Sequence, residues 1–113
     1  MNHRMARTGS AVLLLAALVL LFTAPTQAQD AGALFKAQCA ACHDPDGSGS
    51  GATGKQLGVK DLRSDEVQKQ TDAQLSDSIT NGKGTTMPAY KGKITDAQIK
   101  GLVTYIRTLA KKG

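Results

Sequence analysis

Cys39-Ala40-Ala41-Cys42-His43 is the stretch on which the rest of the chain turns. It holds both cysteines of the 113-residue sequence and one of its two histidines. On a turn of helix, residues three and four apart are neighbours on one face. The two thiols and the imidazole therefore reach one side together. Thiols at this spacing meet the two vinyl groups of a single porphyrin and form thioethers, and the adjacent imidazole then lies under the iron. C-x-x-C-H is the attachment sequence for c-type haem. The stretch predicts one covalently held haem c, with Cys39 and Cys42 as attachment points and His43 as an axial iron ligand.

Three other uses of these residues compete. A redox dithiol also has the form Cys-x-x-Cys, but it sits on a strand–helix unit, and no strand pattern surrounds Cys39. A structural zinc site needs four ligands, usually with a second pair at matched spacing. Here the fourth ligand would have to be a lone carboxylate such as Asp44. A plain disulfide accounts for the cysteines and leaves His43 without a role.

Upstream of the stretch the chain reads as an address. His3, Arg4 and Arg7 make a positive start, and Ala11 to Phe22 is an unbroken apolar run. As a helix that run spans roughly 18 Å, against about 30 Å of bilayer hydrocarbon. It is short for a membrane anchor and suits the apolar region of a secretory signal. Thr26-Gln27-Ala28 offers small residues where a signal peptidase reads. The expected division is residues 1–28 as signal peptide and 29–113 as one domain, exported to the periplasm and not inserted in the membrane. An uncleaved membrane helix is the alternative. Removing 1–28 takes two arginines and no acid, so the net charge falls from +5 to +3. It also leaves His43 as the one histidine and Met87 as the one methionine.

Downstream, helices alternate with glycine-rich loops. Asp30 is placed to cap a first helix from about Ala31 to Ala40. From Asp44 to Gly58 the density of glycine and serine predicts loop. Ser64 followed by Asp65 and Glu66 opens a short helix, with carboxylates where the helix dipole favours them. Thr71–Gln74 and Thr95–Gln98 both read Thr-Asp-Ala-Gln, a capping box. The first opens a helix that Asn81-Gly82 ends. The second opens a helix with a stripe of Ile99, Leu102, Val103, Ile106 and Leu109, and Ile94 before the cap can staple onto Ile99. No alternating run is long enough for a strand, so the expectation is an all-α fold.

The sixth iron ligand follows nearly by exclusion. Met87 is the one thioether after residue 28, and it stands in a non-helical stretch, Gly-Lys-Gly-Thr-Thr-Met-Pro-Ala-Tyr. Pro88 biases Met87 toward an extended backbone. A methionine can also simply fill a gap in a core, and lysine, Tyr90 or water can ligate iron. Ligand preferences of haem proteins favour Met87.

Composition removes other classes of function. The chain is 41% hydrophobic but 4% aromatic, without Trp, which fits neither disorder nor a core of large rings. Its charges are mixed, with no basic stripe for nucleic acid. Asp44-Pro45-Asp46-Gly47 begins like a calcium loop, but the twelfth position is Lys55 where a glutamate is required. Lys83, Lys91 and Lys93 flank the methionine stretch, either as an ordinary solvated surface or as a docking patch.

Taken together, the chain from Asp30 to Lys112 resembles the small monohaem class I c-type cytochromes, most of all their short bacterial and photosynthetic members. Cys-Ala-Ala-Cys-His, the glycine loop, Asn-Gly-Lys-Gly, Met-Pro-Ala-Tyr and Leu-Val-Thr-Tyr-Ile-Arg carry the likeness. It implies helices and loops wrapped around one haem, and a soluble, monomeric one-electron carrier, not an enzyme, that serves a donor complex and a terminal acceptor. It also implies that Gly32 and Phe35 meet Tyr105. A haem sensor or a peroxidase-like protein whose methionine leaves the iron is the competing function. Many relatives have a proline after the glycine loop whose carbonyl holds the axial imidazole. None follows Gly54 before Met87, and the sequence names no partner for the His43 ring N–H.

Overall fold

The computed structural model describes residues 27–111. The expected signal peptide, but for its last two residues, lies outside them. Six helices follow in order: α1 (Gln27–Gln38), α2 (Ala40–His43), α3 (Ala52–Leu57), α4 (Asp65–Gln68), α5 (Asp72–Asn81) and α6 (Asp96–Thr108). Among the described residues no strand forms, only isolated bridges between Lys83 and Met87 and between Lys91 and Ile94.

Local chemistry explains most boundaries. Ser64 caps α4 by accepting from the Val67 N–H. Both capping boxes form, at Thr71 with Gln74 and at Thr95 with Gln98. Each contributes on the order of 1 kcal/mol. Gly82 ends α5 with φ at 73°. Two expectations need correction. Asp30 is not a cap but sits in the first turn of α1, because the preceding Gln and Ala residues already continue the helix. There it still complements the dipole. The stretch from Asp44 to Gly58 is also not loop throughout, since α3 occupies its second half. Glycines are poor helix formers, yet Gly54 is required within α3. A Cβ there would collide with the Gly49 carbonyl and lie 2.7 Å from the Cys42 carbonyl oxygen. Close packing on the segment that carries His43 overrides propensity.

The core is small and centres on α6. Ile99, Leu102, Val103 and Ile106 are buried there, with Phe35 from α1, Val67 from α4, and Leu75 and Ile79 from α5. α1 crosses α6 where Gly32 lets it approach, since a Cβ at that position would stand 3.3 Å from Tyr105 Cε2. The Phe35 and Tyr105 rings meet at 5.1 Å between centroids. Arg107 ties α6 to the α4–α5 turn, donating to the Gln68 carbonyl (2.9 Å) and, through Nε, to Asp72 (3.1 Å).

Between α3 and α4 the chain returns through a tight turn built on Asp61. Its carboxylate accepts from the Arg63 main-chain N–H (2.9 Å), Arg63 Nε (3.0 Å) and Nη2 (3.2 Å). Lys111 Nζ lies 3.5 Å away. The Arg63 hydrogen bond, more than any other influence, holds the Asp61 carboxyl down to about 2. Because the folded value is lowered, the ionised pair stabilises the fold fully above about pH 4. That contribution is lost as the pH falls through about 2. Asp61→Asn is expected to cost about 1 kcal/mol at neutral pH, the figure being kept small by solvent screening. Urea unfolding of parent and variant should differ at neutral pH and converge in strong acid. A gap that stayed constant across that range would assign the loss to the turn's shape and not to its charge.

Candidate functional site

The break between α1 and α2 sets up the site. Cys42 and His43 both donate their N–H to the Cys39 carbonyl, at 3.2 and 3.0 Å. This turns the chain by one tight step and brings Cys39, Cys42 and His43 to the edge of one cavity system. The glycine-rich loop then folds back over them. Gly49 N–H donates to the His43 carbonyl (2.9 Å), and Leu62 N–H to the Gly47 carbonyl (2.9 Å). Asp44, in the left-handed region at φ 61°, accepts from the Gly51 N–H at 2.8 Å, and Asp46 accepts from Ser48 N–H at 2.9 Å. These carboxylates serve the loop's own backbone, in keeping with the failed calcium pattern.

Beneath His43 opens a cavity of about 430 Å³. Phe35, Leu62, Val67, Leu75, Ile79 and Ile106 give it apolar walls, while Cys39, His43 and Met87 stand at its border. A smaller space of about 50 Å³ adjoins it, touched by Cys39, Cys42, His43, Met87, Pro88 and Tyr90. All four residues singled out from the sequence therefore face the same interior.

The other side of the site is the segment from Lys83 to Ile94. It is pinned by a reciprocal backbone pair, Lys83 N–H to the Met87 carbonyl (3.0 Å) and Met87 N–H to the Lys83 carbonyl (3.1 Å). Tyr90 and Lys91 donate their N–H groups to Ile79 and Thr80, both at 3.0 Å, which fixes the segment on the end of α5. Gly82 is necessary to this closure. A Cβ there would strike the Met87 carbonyl and stand 2.9 Å from the Ala89 nitrogen.

The electrostatics of the site favour a neutral, metal-binding imidazole. Burial lowers the His43 pKa, against the smaller opposing effects of the Lys60 main chain and Asp44. Neutral imidazole is the form that ligates metals. Its Nδ1 is buried without a hydrogen-bond partner among the described residues. Burial, with Cys42 adding, pushes the Cys39 thiol up to about 11. A redox dithiol needs the opposite, a thiol with a lowered pKa. Cys39 and Cys42 are not joined to each other by a disulfide. Among the described residues no group of three or more His, Cys, Asp or Glu converges to hold a bare metal ion. The zinc, disulfide and dithiol readings all lose support.

The residues fit a covalent haem. A large apolar cavity is bordered by Cys39, by an imidazole with an unpaired buried nitrogen, and by a thioether on a fixed loop, and Cys42 lines the small space beside it. One feature of this site was missed in the sequence. Tyr90, considered there only as a ligand, spends its hydroxyl on the Gln38 carbonyl at 3.0 Å.

Comparison with known proteins agrees with this geometry. Residues 26–106 match the family model described as cytochrome c oxidase, cbb3-type, subunit III. The chain is 38% identical over 85 residues to cytochrome c6 of Leptolyngbya boryana, covering 73% of this chain and 92% of that protein. It is 36% identical over 77 residues to the cbb3-type cytochrome c oxidase subunit CcoP of Azospirillum brasilense, covering 67% of this chain. The match spans only 26% of that subunit. Among solved structures, the KustC0563 c-type cytochrome superposes with a TM-score of 0.67 at 29% identity, covering 72% of this chain and 98% of that one.

Proposed function

Because the chain belongs to the family of small class I c-type cytochromes, carries covalent haem c and transfers electrons, we propose that it is a periplasmic one-electron carrier whose iron is held between His43 and Met87. The observation that carries this reading is that His43 and Met87, 44 residues apart in sequence, border one apolar cavity.

When bound, the haem supplies a one-electron couple at its iron. The chain's own residues do the rest. Cys39 and Cys42 would anchor the ring through thioethers. His43 and Met87 would ligate its iron, leaving it no open site, so the protein's role would be electron transfer without bond chemistry. A thioether opposite an imidazole favours the reduced state and raises the potential. Phe35, Val67, Leu75, Ile79 and Ile106 exclude water from the ring. Residues 1–28 serve as a signal peptide cut after Ala28. No helix among the described residues is long and apolar enough to cross a membrane. The partners are redox proteins, a donor complex and a terminal acceptor. The exposed Lys83, Lys91 and Lys93 around the methionine loop suit an acidic docking face.

Expression of the full chain in a host that attaches haem tests the whole reading. The periplasmic fraction should hold a protein that begins at Gln29 and keeps its haem stain through denaturing electrophoresis. Its oxidised form should show the weak sulfur-to-iron charge-transfer band. Haem released by acid-acetone would contradict the thioethers. Absence of the band would contradict Met87 and favour a haem sensor or peroxidase-like protein.

A further inference from the structure

The loop that carries Met87 is fixed to α5 by its backbone, but a single bond reaches from it to the haem-attachment side. Among the described residues, the only hydrogen bond between the segment 82–94 and the segment 27–58 is Tyr90 Oη donating to the Gln38 carbonyl, 3.0 Å long. The acceptor is available because of the helix break. In an unbroken helix the Gln38 carbonyl would receive the Cys42 N–H. Here that N–H turns to Cys39, and Gln38, the last residue of α1, offers its oxygen outward. The tyrosine is held at both ends, by its own N–H on the Ile79 carbonyl and by its hydroxyl on α1. Its ring closes the small space beside Cys39, Cys42, His43 and Met87. Lys93 Nζ covers the ring at 5.8 Å from its centroid.

We propose that the Tyr90 hydroxyl is a latch that holds the Met87 loop against the haem-attachment turn, making Tyr90 a positioning residue for the sixth iron ligand. This rests on the reading of Met87 as that ligand. An open latch leaves the loop tied to α5 alone, free to swing away from the Cys39–His43 turn. Tyr90→Phe removes the hydroxyl and keeps the ring, so the cavity wall and the core survive.

The test uses four haem-loaded proteins: the parent, Tyr90→Phe, Met87→Ala and the double variant. Two quantities are read, the sulfur-to-iron band of the oxidised form and the rate at which added imidazole binds the ferric iron. Tyr90→Phe should keep the band, yet bind imidazole about threefold faster, the scale of one partly exposed hydrogen bond. In the Met87→Ala background, losing the hydroxyl should leave the rate unchanged, because no ligand remains to be held. Imidazole binding at the parent's rate in Tyr90→Phe would overturn the latch. So would an equal acceleration with and without Met87, since that is the mark of general loosening. A Met87→Ala protein that retained the band would overturn the ligand assignment itself, and the latch with it.

Discussion

Without haem, the chain from residue 29 onward is expected to show no cooperative unfolding transition. The buried apolar set is short: Ala31, Phe35, Val67, Leu75, Ile79, Ile99, Leu102, Val103 and Ile106. Five of these, Phe35, Val67, Leu75, Ile79 and Ile106, also border the large cavity. More than half of the core therefore has its packing partner in the cofactor. Without it those side chains face water in place of a packing partner, in a domain class whose whole stability is only about 5–15 kcal/mol. Glycine-rich loops add to the deficit, since they lose the most backbone freedom on ordering. A Cys39→Ser/Cys42→Ser chain made in a host without haem attachment isolates the effect. Its far-ultraviolet circular dichroism should decline gradually with temperature, while the haem-loaded parent melts over a narrow range. A sharp transition in the haem-free chain would show that the polypeptide has a sufficient core of its own.

The same dependence explains what was legible beforehand. Signals that act over one or two turns were readable in residue identity. The capping boxes at Thr71 and Thr95, the Gly82 stop and the α6 stripe all formed where the sequence put them. The attachment stretch stood out because its chemistry fixes its spacing, and the structure brings Cys39, Cys42, His43 and Met87 to one small space. Contacts decided by distant backbone were not readable. α3 forms within a glycine-rich stretch because Gly54 packs on the Cys42 and Gly49 carbonyls. The Tyr90 bond depends on an oxygen released by a helix break 52 residues away. In each case the partner is a carbonyl oxygen, which every residue carries and no pattern marks.

Met87→Ala is expected to lower the reduction potential and open the iron to outside ligands while leaving the haem attached. On the proposed ligation, the variant lacks the thioether that favours reduced iron. The fall should be on the order of 0.2 V, a fraction of the roughly 0.8 V that axial-ligand identity spans. The reduced variant should take up carbon monoxide, which the parent should do poorly. Attachment should survive, because Cys39, Cys42 and His43 are untouched and are held by their own turn. Stability should also fall, for a reason of topology. Bound to one iron, His43 and Met87 close a loop of 44 residues. A permanent cross-link of that length is worth about 4 kcal/mol by chain entropy, and a coordinate bond that can open is worth less. The loop's backbone pair with Lys83 and its bonds to α5 do not depend on the side chain, so the segment should stay near α5 and lose its hold on the haem side. Redox titration, carbon monoxide binding and denaturant midpoints therefore report three consequences of one sulfur atom. A variant that kept the parent's potential and visible spectrum would make Met87 a packing residue, and the ligand would then have to be Lys83, Lys91, Lys93 or Tyr90.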